Sequence, residues 1–190
     1  MFTQMKIIHL HQNEKELIEL AIANNRAAQQ KLYTQFSPKM LSVCRQYIKD
    51  VHQAEDIMIT AFMKVFTNLN KFQFNGSFEG WIRRIMVNES ISYLRVHKKV
   101  QFIDDETFFE ERVNTIESQF SVDDIQFLID NLPDGYRMVF NLYAIEGYKH
   151  QEIAVMLNIN EGTSKSQLSH ARKMLQNQIN KLKNYSNGTE

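Results

Sequence analysis

Only 6 glycines and 2 prolines punctuate 190 residues. Sheet proteins turn tightly and often, and those turns draw on Gly and Pro. So sparse a supply suits long helices joined by short connections, and it predicts an all-α fold. Hydrophobic residues make up 43% of the chain, enough to pack a core. The length suits one mid-sized domain or two small ones.

Several chemistries are excluded early. The single cysteine, Cys44, rules out an intrachain disulfide framework and a Cys-rich zinc site. It lies in the apolar series Met40, Leu41, Val43, Cys44, Tyr47 and reads as core. The histidines His9, His11, His52, His97, His150 and His170 show no metal-ligand spacing on a common face, apart from the weak His9/His11 pair. No nucleophile and base stand together, so neither catalysis nor a cofactor is expected. No stretch approaches the roughly 18 apolar residues that span a bilayer, and the N-terminal residues lack a cleavable apolar leader. The expectation is a cytoplasmic protein with no membrane insertion.

Helical periodicity organises the chain. A first helix is expected from about residue 14 to 35, a second from Ser37-Pro38 to about Asp50, and a third from Gln53 to Asn70. The third places Ile57, Ala61, Phe62, Val65, Phe66 and Leu69 on one face and leaves Glu55, Asp56, Lys64 and Asn68 toward solvent. The glycines of NKFQFNGSFEGW interrupt the period before a basic helix through Arg83, Arg84 and Tyr93 to Arg95. Residues 100–121 carry scattered apolar groups and clustered acids, the pattern of a linker with at most a transient helix. Helical pattern returns at Val122, and Pro133 opens a further helix.

Zero net charge argues at first against a nucleic-acid partner, but the distribution reverses that impression. Residues 1–99 hold 14 Lys+Arg against 8 Asp+Glu, and residues 100–130 hold nine acids and one base, Arg112. After Gly162 there are five bases, with Glu190 the only acid. Two basic regions flank an acidic one.

The passage EGYKHQEIAVMLNINEGTSKSQLSHARKMLQNQINKL reads as a helix, a short turn and a second helix. Asn158 stands where a left-handed residue is needed, and Asn160 can cap the second helix. Ser164, Leu168, Ala171, Leu175, Ile179 and Leu182 form the expected buried stripe; Lys165, Ser166, Ser169, His170 and Lys173 lie opposite. Short donors followed by cations suit a major-groove helix, whose first residues reach base edges while Lys and Arg hold phosphates. An ordinary solvated helix face offers the same spacing.

At these residues the chain resembles the sigma-70 family, and within it the small extracytoplasmic-function (ECF) group. The family's C-terminal pattern appears as Glu152 to Leu157, Ile159, Glu161 to Thr163, Lys165, Ser166, Leu168, Ala171, Arg172 and Leu175, preceded by Leu132, Pro133 and Arg137. This half resembles region 4. The N-terminal half resembles region 2 through YIKD (Tyr47 to Asp50), AEDI (Ala54 to Ile57), Phe62, KVF (Lys64 to Phe66), GSFEGW (Gly76 to Trp81), Asn88 and YLR (Tyr93 to Arg95). Departures are Ile59 and Thr60, where the family commonly has Gln-Glu, and Gln167 and His170, which often are Arg.

The resemblance implies two small helical domains, a region 2 bundle over residues 1–99 and a region 4 helix-turn-helix over 122–184. A flexible acidic linker, 100–121, joins them, and 185–190 form a tail. Extended, that linker reaches roughly 70 Å, about two duplex turns. The resemblance further implies core RNA polymerase as partner, through the largest-subunit clamp helices and the flap, together with promoter DNA and an anti-sigma factor. Glu55, Asp56, Phe62 and Lys64 are then the polymerase-facing candidates. Phe78, Trp81, Arg83, Arg84, Asn88 and Arg95 are the minus-10 candidates. Thr163, Lys165, Ser166, Gln167, Ser169, His170, Arg172 and Lys173 are those for minus-35. For Phe62 and Trp81 a core role is the competing reading. A helix-turn-helix regulator that binds duplex DNA without polymerase is the rival function, and a nuclease or recombinase the more remote one.

Overall fold

The computed structural model describes residues 14–97 and 121–186, and the acidic linker assigned to 100–121 lies almost wholly outside them. No strand occurs among the described residues. The chain divides into two compact units, Met1–Ser92 and Tyr93–Glu190.

The first unit is a helical bundle. Helix α1, residues 14–22, stops at a turn in which Asn24 takes a left-handed backbone, φ 62°. Asn25 then caps α2 (Arg26–Tyr47) by accepting from the Ala28 amide at 3.1 Å. This corrects the expected single helix over 14–35 and the expected break at Ser37-Pro38, because Pro38 lies inside α2. A mid-helix proline costs about 3 kcal/mol. Against it, the stripe Ala28, Leu32, Phe36, Met40, Val43, Cys44 and Tyr47 runs through Pro38 unbroken and is buried throughout. Burying such side chains contributes about 1.5–3 kcal/mol for each large one, so packing outweighs the proline.

Asp50 accepts from the Gln53 amide at 2.9 Å and starts α3 (Val51–Thr67), which buries Ala54, Ile57, Met58, Ala61, Phe62 and Val65. A 3-10 turn, Leu69–Lys71, leads toward α4 (Phe78–His97). α3 packs on α2, with the Phe62 ring edge-on to Tyr33 at 4.9 Å. α4 closes the bundle: Phe78 meets Phe36 at 5.6 Å, and Met86 Sδ lies 4.0 Å from Cys44 Sγ.

In the second unit, Ser121 and Asp124 form a reciprocal capping box at the start of α5 (Val122–Asp130). Pro133 precedes α6 (Asp134–Phe140), as expected, and α6 runs into a π turn, Asn141–Ile145. Gly147, at φ 77°, lets the chain reverse into α7 (His150–Leu157). Asn158 is left-handed at φ 55°, and Asn160 Oδ1 accepts from the Thr163 amide at 2.6 Å to cap α8 (Glu161–Ser186). Helices α6 and α7 pack on α8 around Leu132, Met138, Val139, Leu142, Ile153, Leu157, Leu168 and Ala171. Beyond Ala171 the expected stripe fades: Leu175 and Ile179 are half-buried and Leu182 is 40% exposed. Helix α8 is longer than the helices it packs against.

Candidate nucleic-acid interface

Between the 3-10 turn and the start of α4 lies a cleft of about 520 Å³ lined by Lys71, Gln73, Asn75, Ser77, Trp81 and Arg84, among others. Its volume falls in the range of small-molecule sites. Phe72 and Trp81, 5.6 Å apart, are its aromatic lining, and Phe72 also contacts Phe74 at 4.9 Å and Phe78 at 5.1 Å. Phe74 takes φ 56°, a left-handed conformation that costs a bulky residue about 1–3 kcal/mol and persists only where its surroundings enforce it. The Lys15 ammonium lies 5.6 Å from the Phe74 ring centroid.

Trp81, Arg84, Asn88 and Arg95 follow at helical spacings of three, four and seven and so share one face of α4. Arg84, Asn88 and Arg95 are exposed, and Trp81 is half-buried. Arg83 lies on another side, where Nη2 donates to Gln46 Oε1 of α2 at 3.4 Å. Phe78 is 1% exposed and belongs to the core, not to the surface expected of a base-stacking residue. The one face thus joins an aromatic cleft to a cationic, amide-bearing track. Lys71, Gln73, Asn75 and Ser77 fall within the NKFQFNGSFEGW segment read from the sequence, which did not single them out as site residues.

On α3, Asp56 and Lys64 are exposed and Glu55 is half-buried. Lys64 Nζ donates to Glu89 of α4 at 2.6 Å. Phe62 is buried at 3% exposure, packed on Tyr33 and Phe66, and belongs to the core. Ile59 and Met63, 48% and 67% exposed, form an apolar flank beside Asp56 that periodicity did not single out.

In the second unit Lys165, Ser169 and His170 are half-buried, and Arg172 and Lys173 are exposed. Thr163, Ser166 and Gln167 are buried, which corrects the solvent face assigned to Ser166. The Thr163 hydroxyl donates to Asn160 Oδ1 at 2.9 Å, and that of Ser166 turns back to the Thr163 carbonyl at 3.1 Å. His170 stacks on Tyr136 at 5.5 Å. His150 of α7, which sequence reasoning passed over, stacks on Tyr143 at 4.6 Å with its Nδ1 2.9 Å from Ser164 Oγ. Burial and the Lys165 cation hold its pKa below the ordinary imidazole value, Arg172 adds to the fall, and Glu161 opposes it. Among the described residues no group of His, Cys, Asp and Glu could hold a metal ion, and no helix is long and apolar enough to cross a membrane.

A helical bundle with an aromatic and cationic cleft, followed in the same chain by a helix-turn-helix, defines a nucleic-acid-binding protein of two units. Residues 32–100 match the family model for sigma-70 region 2, and residues 123–175 that for sigma-70 region 4. The ECF RNA polymerase sigma factor SigW of Bacillus subtilis is 32% identical over 162 residues, 77% of this chain and 86% of that protein. The ECF RNA polymerase sigma-E factor of Escherichia coli K12 is 24% identical over 183 residues, 89% and 95% of the two chains. In fold, the chain is similar to the sigma factor RpoE of Bartonella quintana, solved with the anti-sigma factor NepR. The TM-score is 0.50 at 22% identity, over 80% of this chain and 96% of that one. The chain belongs to the sigma-70 family, in its ECF group, and carries that family's regions 2 and 4.

Proposed function

We propose that this protein binds core RNA polymerase and directs promoter-specific initiation, using the α4 face for the minus-10 element and α8 for minus-35. The observation that carries the reading is one face of α4 that runs from Trp81 and Arg84, which line the aromatic cleft, through Asn88 to Arg95, in a chain that also bears region 4. Opening a duplex unstacks bases at a cost of a few kcal/mol, and stacking one on an aromatic side chain returns about 1–3 kcal/mol. Melting is therefore near balance, and the polymerase must contribute. No hydrolytic group is needed, and the protein acts as a non-enzymatic, cytoplasmic initiation factor.

In this reading Trp81 and the cleft hold an unstacked base while Arg84, Asn88 and Arg95 track the strand; Arg83 and Phe78 support that face from behind. Lys165, Ser169, His170, Arg172 and Lys173 meet the minus-35 duplex, with Thr163, Ser166 and Gln167 shaping the start of α8. Glu55, Asp56 and Lys64, flanked by Ile59 and Met63, dock on the clamp helices of the largest subunit, and region 4 engages the flap. The solved relative was captured with an anti-sigma factor, which supports a similar partner here.

Run-off transcription with purified core polymerase and genomic promoter fragments tests the proposal. Defined starts that require the intact protein, and are lost with Trp81→Ala plus Asn88→Ala, are the expected result. Salt-sensitive duplex binding without polymerase, and no transcription, would favour a polymerase-independent regulator instead.

A further inference from the structure

His150 joins three elements of region 4. Its Nδ1 meets Ser164 in the first turn of α8, and its ring stacks on Tyr143 of the π turn. The Arg172 guanidinium lies 5.6 Å from the centroid of that same Tyr143 ring. Lys165, the neighbour of Ser164, pairs with Glu161 at 2.7 Å. Ser164 is fully buried and anchors one edge of the cluster; Tyr143 and Arg172 are exposed and form the other. A π turn is an uncommon local structure that often marks a functional position, and here it presents Tyr143 between a histidine and an arginine.

We propose that His150, Lys165 and Arg172 receive one stretch of the DNA phosphate backbone as a unit, and that His150 takes up a proton from solvent as the duplex docks. This rests on the reading of α8 as the duplex-binding helix. The charged and titratable groups facing His150 are Glu161, Lys165 and Arg172 from α8 and Tyr143 from the π turn. In the free protein burial first, and then the Lys165 and Arg172 cations, disfavour an imidazolium, and Glu161 opposes them. Phosphates arriving on Lys165 and Arg172 neutralise them, and the same cluster then favours it. Both ring nitrogens of an imidazolium carry hydrogen: Nδ1–H donates to Ser164 Oγ, which leaves Nε2–H for a phosphate oxygen. No heavy-atom contact has to break.

The sign follows from linkage. The imidazole pKa is depressed in the free protein and higher in the complex, so affinity rises as pH falls through the bound value and levels off below the free one. The test uses the full chain reconstituted with core polymerase and a labelled promoter duplex from a start mapped by run-off transcription. Binding is measured from about pH 5.5 to 8 at fixed salt, for the wild type and for His150→Gln. Each unit of pKa rise allows up to about tenfold tighter binding at the acid end, and the variant should lack that increment. Calorimetry of the wild type in buffers of different ionisation heat should register proton uptake near neutral pH, which keeps the test independent of how the variant folds. Parallel pH profiles, or no proton uptake, would overturn the proposal while leaving duplex binding by α8 intact. No promoter binding at any pH would overturn both.

Discussion

The Arg137 guanidinium is fully buried, and its Nη2 donates to the Asp134 carboxylate one turn earlier on α6 at 2.6 Å. Its Nη1 lies 3.4 Å from the carbonyls of Asp130 and Leu132. One side chain thereby ties the end of α5 and the Leu132-Pro133 turn to α6.

Removing the carboxylate takes a counter-charge away from a buried cation. Asp134→Ala should cost about 3 kcal/mol, the low end for breaking a buried pair, because the Asp134 side chain is itself 28% exposed. Adding Arg137→Met should recover part of the loss. Urea unfolding followed by circular dichroism, with hydrogen exchange in α6, measures both; a double variant no better than the single would refute the account.

Burial pushes the Cys44 thiol up to about 11 from 9.0. An acid whose folded pKa is raised adds stability that is full below the unfolded value and disappears as pH climbs through the folded one. Stability should therefore fall between about pH 9 and 11, less so in Cys44→Ala after its own cavity cost is subtracted. At neutral pH, alkylating reagents should leave native Cys44 untouched and modify it on unfolding.

Trp81→Ala should slow open-complex formation by about 5- to 150-fold, the equivalent of roughly 1–3 kcal/mol of lost base stacking. Affinity for core polymerase should stay unchanged, since the proposed contact is carried by Glu55, Asp56 and Lys64 of α3 and not by Trp81. Permanganate footprinting of unpaired thymines reads the first quantity, and fluorescence anisotropy with core reads the second. An equal loss in both would mean Trp81 acts only as core.

Asn158 holds its left-handed backbone without the freedom of glycine. Asn158→Gly should match or slightly exceed the wild type in stability, whereas Asn158→Val should lose about 1–2 kcal/mol. Thermal unfolding distinguishes them, and a tolerated valine would show that the α7–α8 turn can close in another way.

Much of this architecture was legible in the chain itself. Scarce Gly and Pro, the apolar period of α3 and α8, and the cap residues Asn158 and Asn160 act locally, and each is read from a few neighbouring residues. The helix-turn-helix follows from such local rules. The bundle decided the rest. Pro38 stays inside α2 because a stripe of distant partners outweighs its local cost, and Asn24, unremarkable in sequence, becomes the break instead. Phe78 goes to the core and Trp81 reaches the cleft, although the two sit three residues apart in the same aromatic and basic stretch. The direction an aromatic ring faces depends on helices brought together from far apart, and residue spacing carries no information about that.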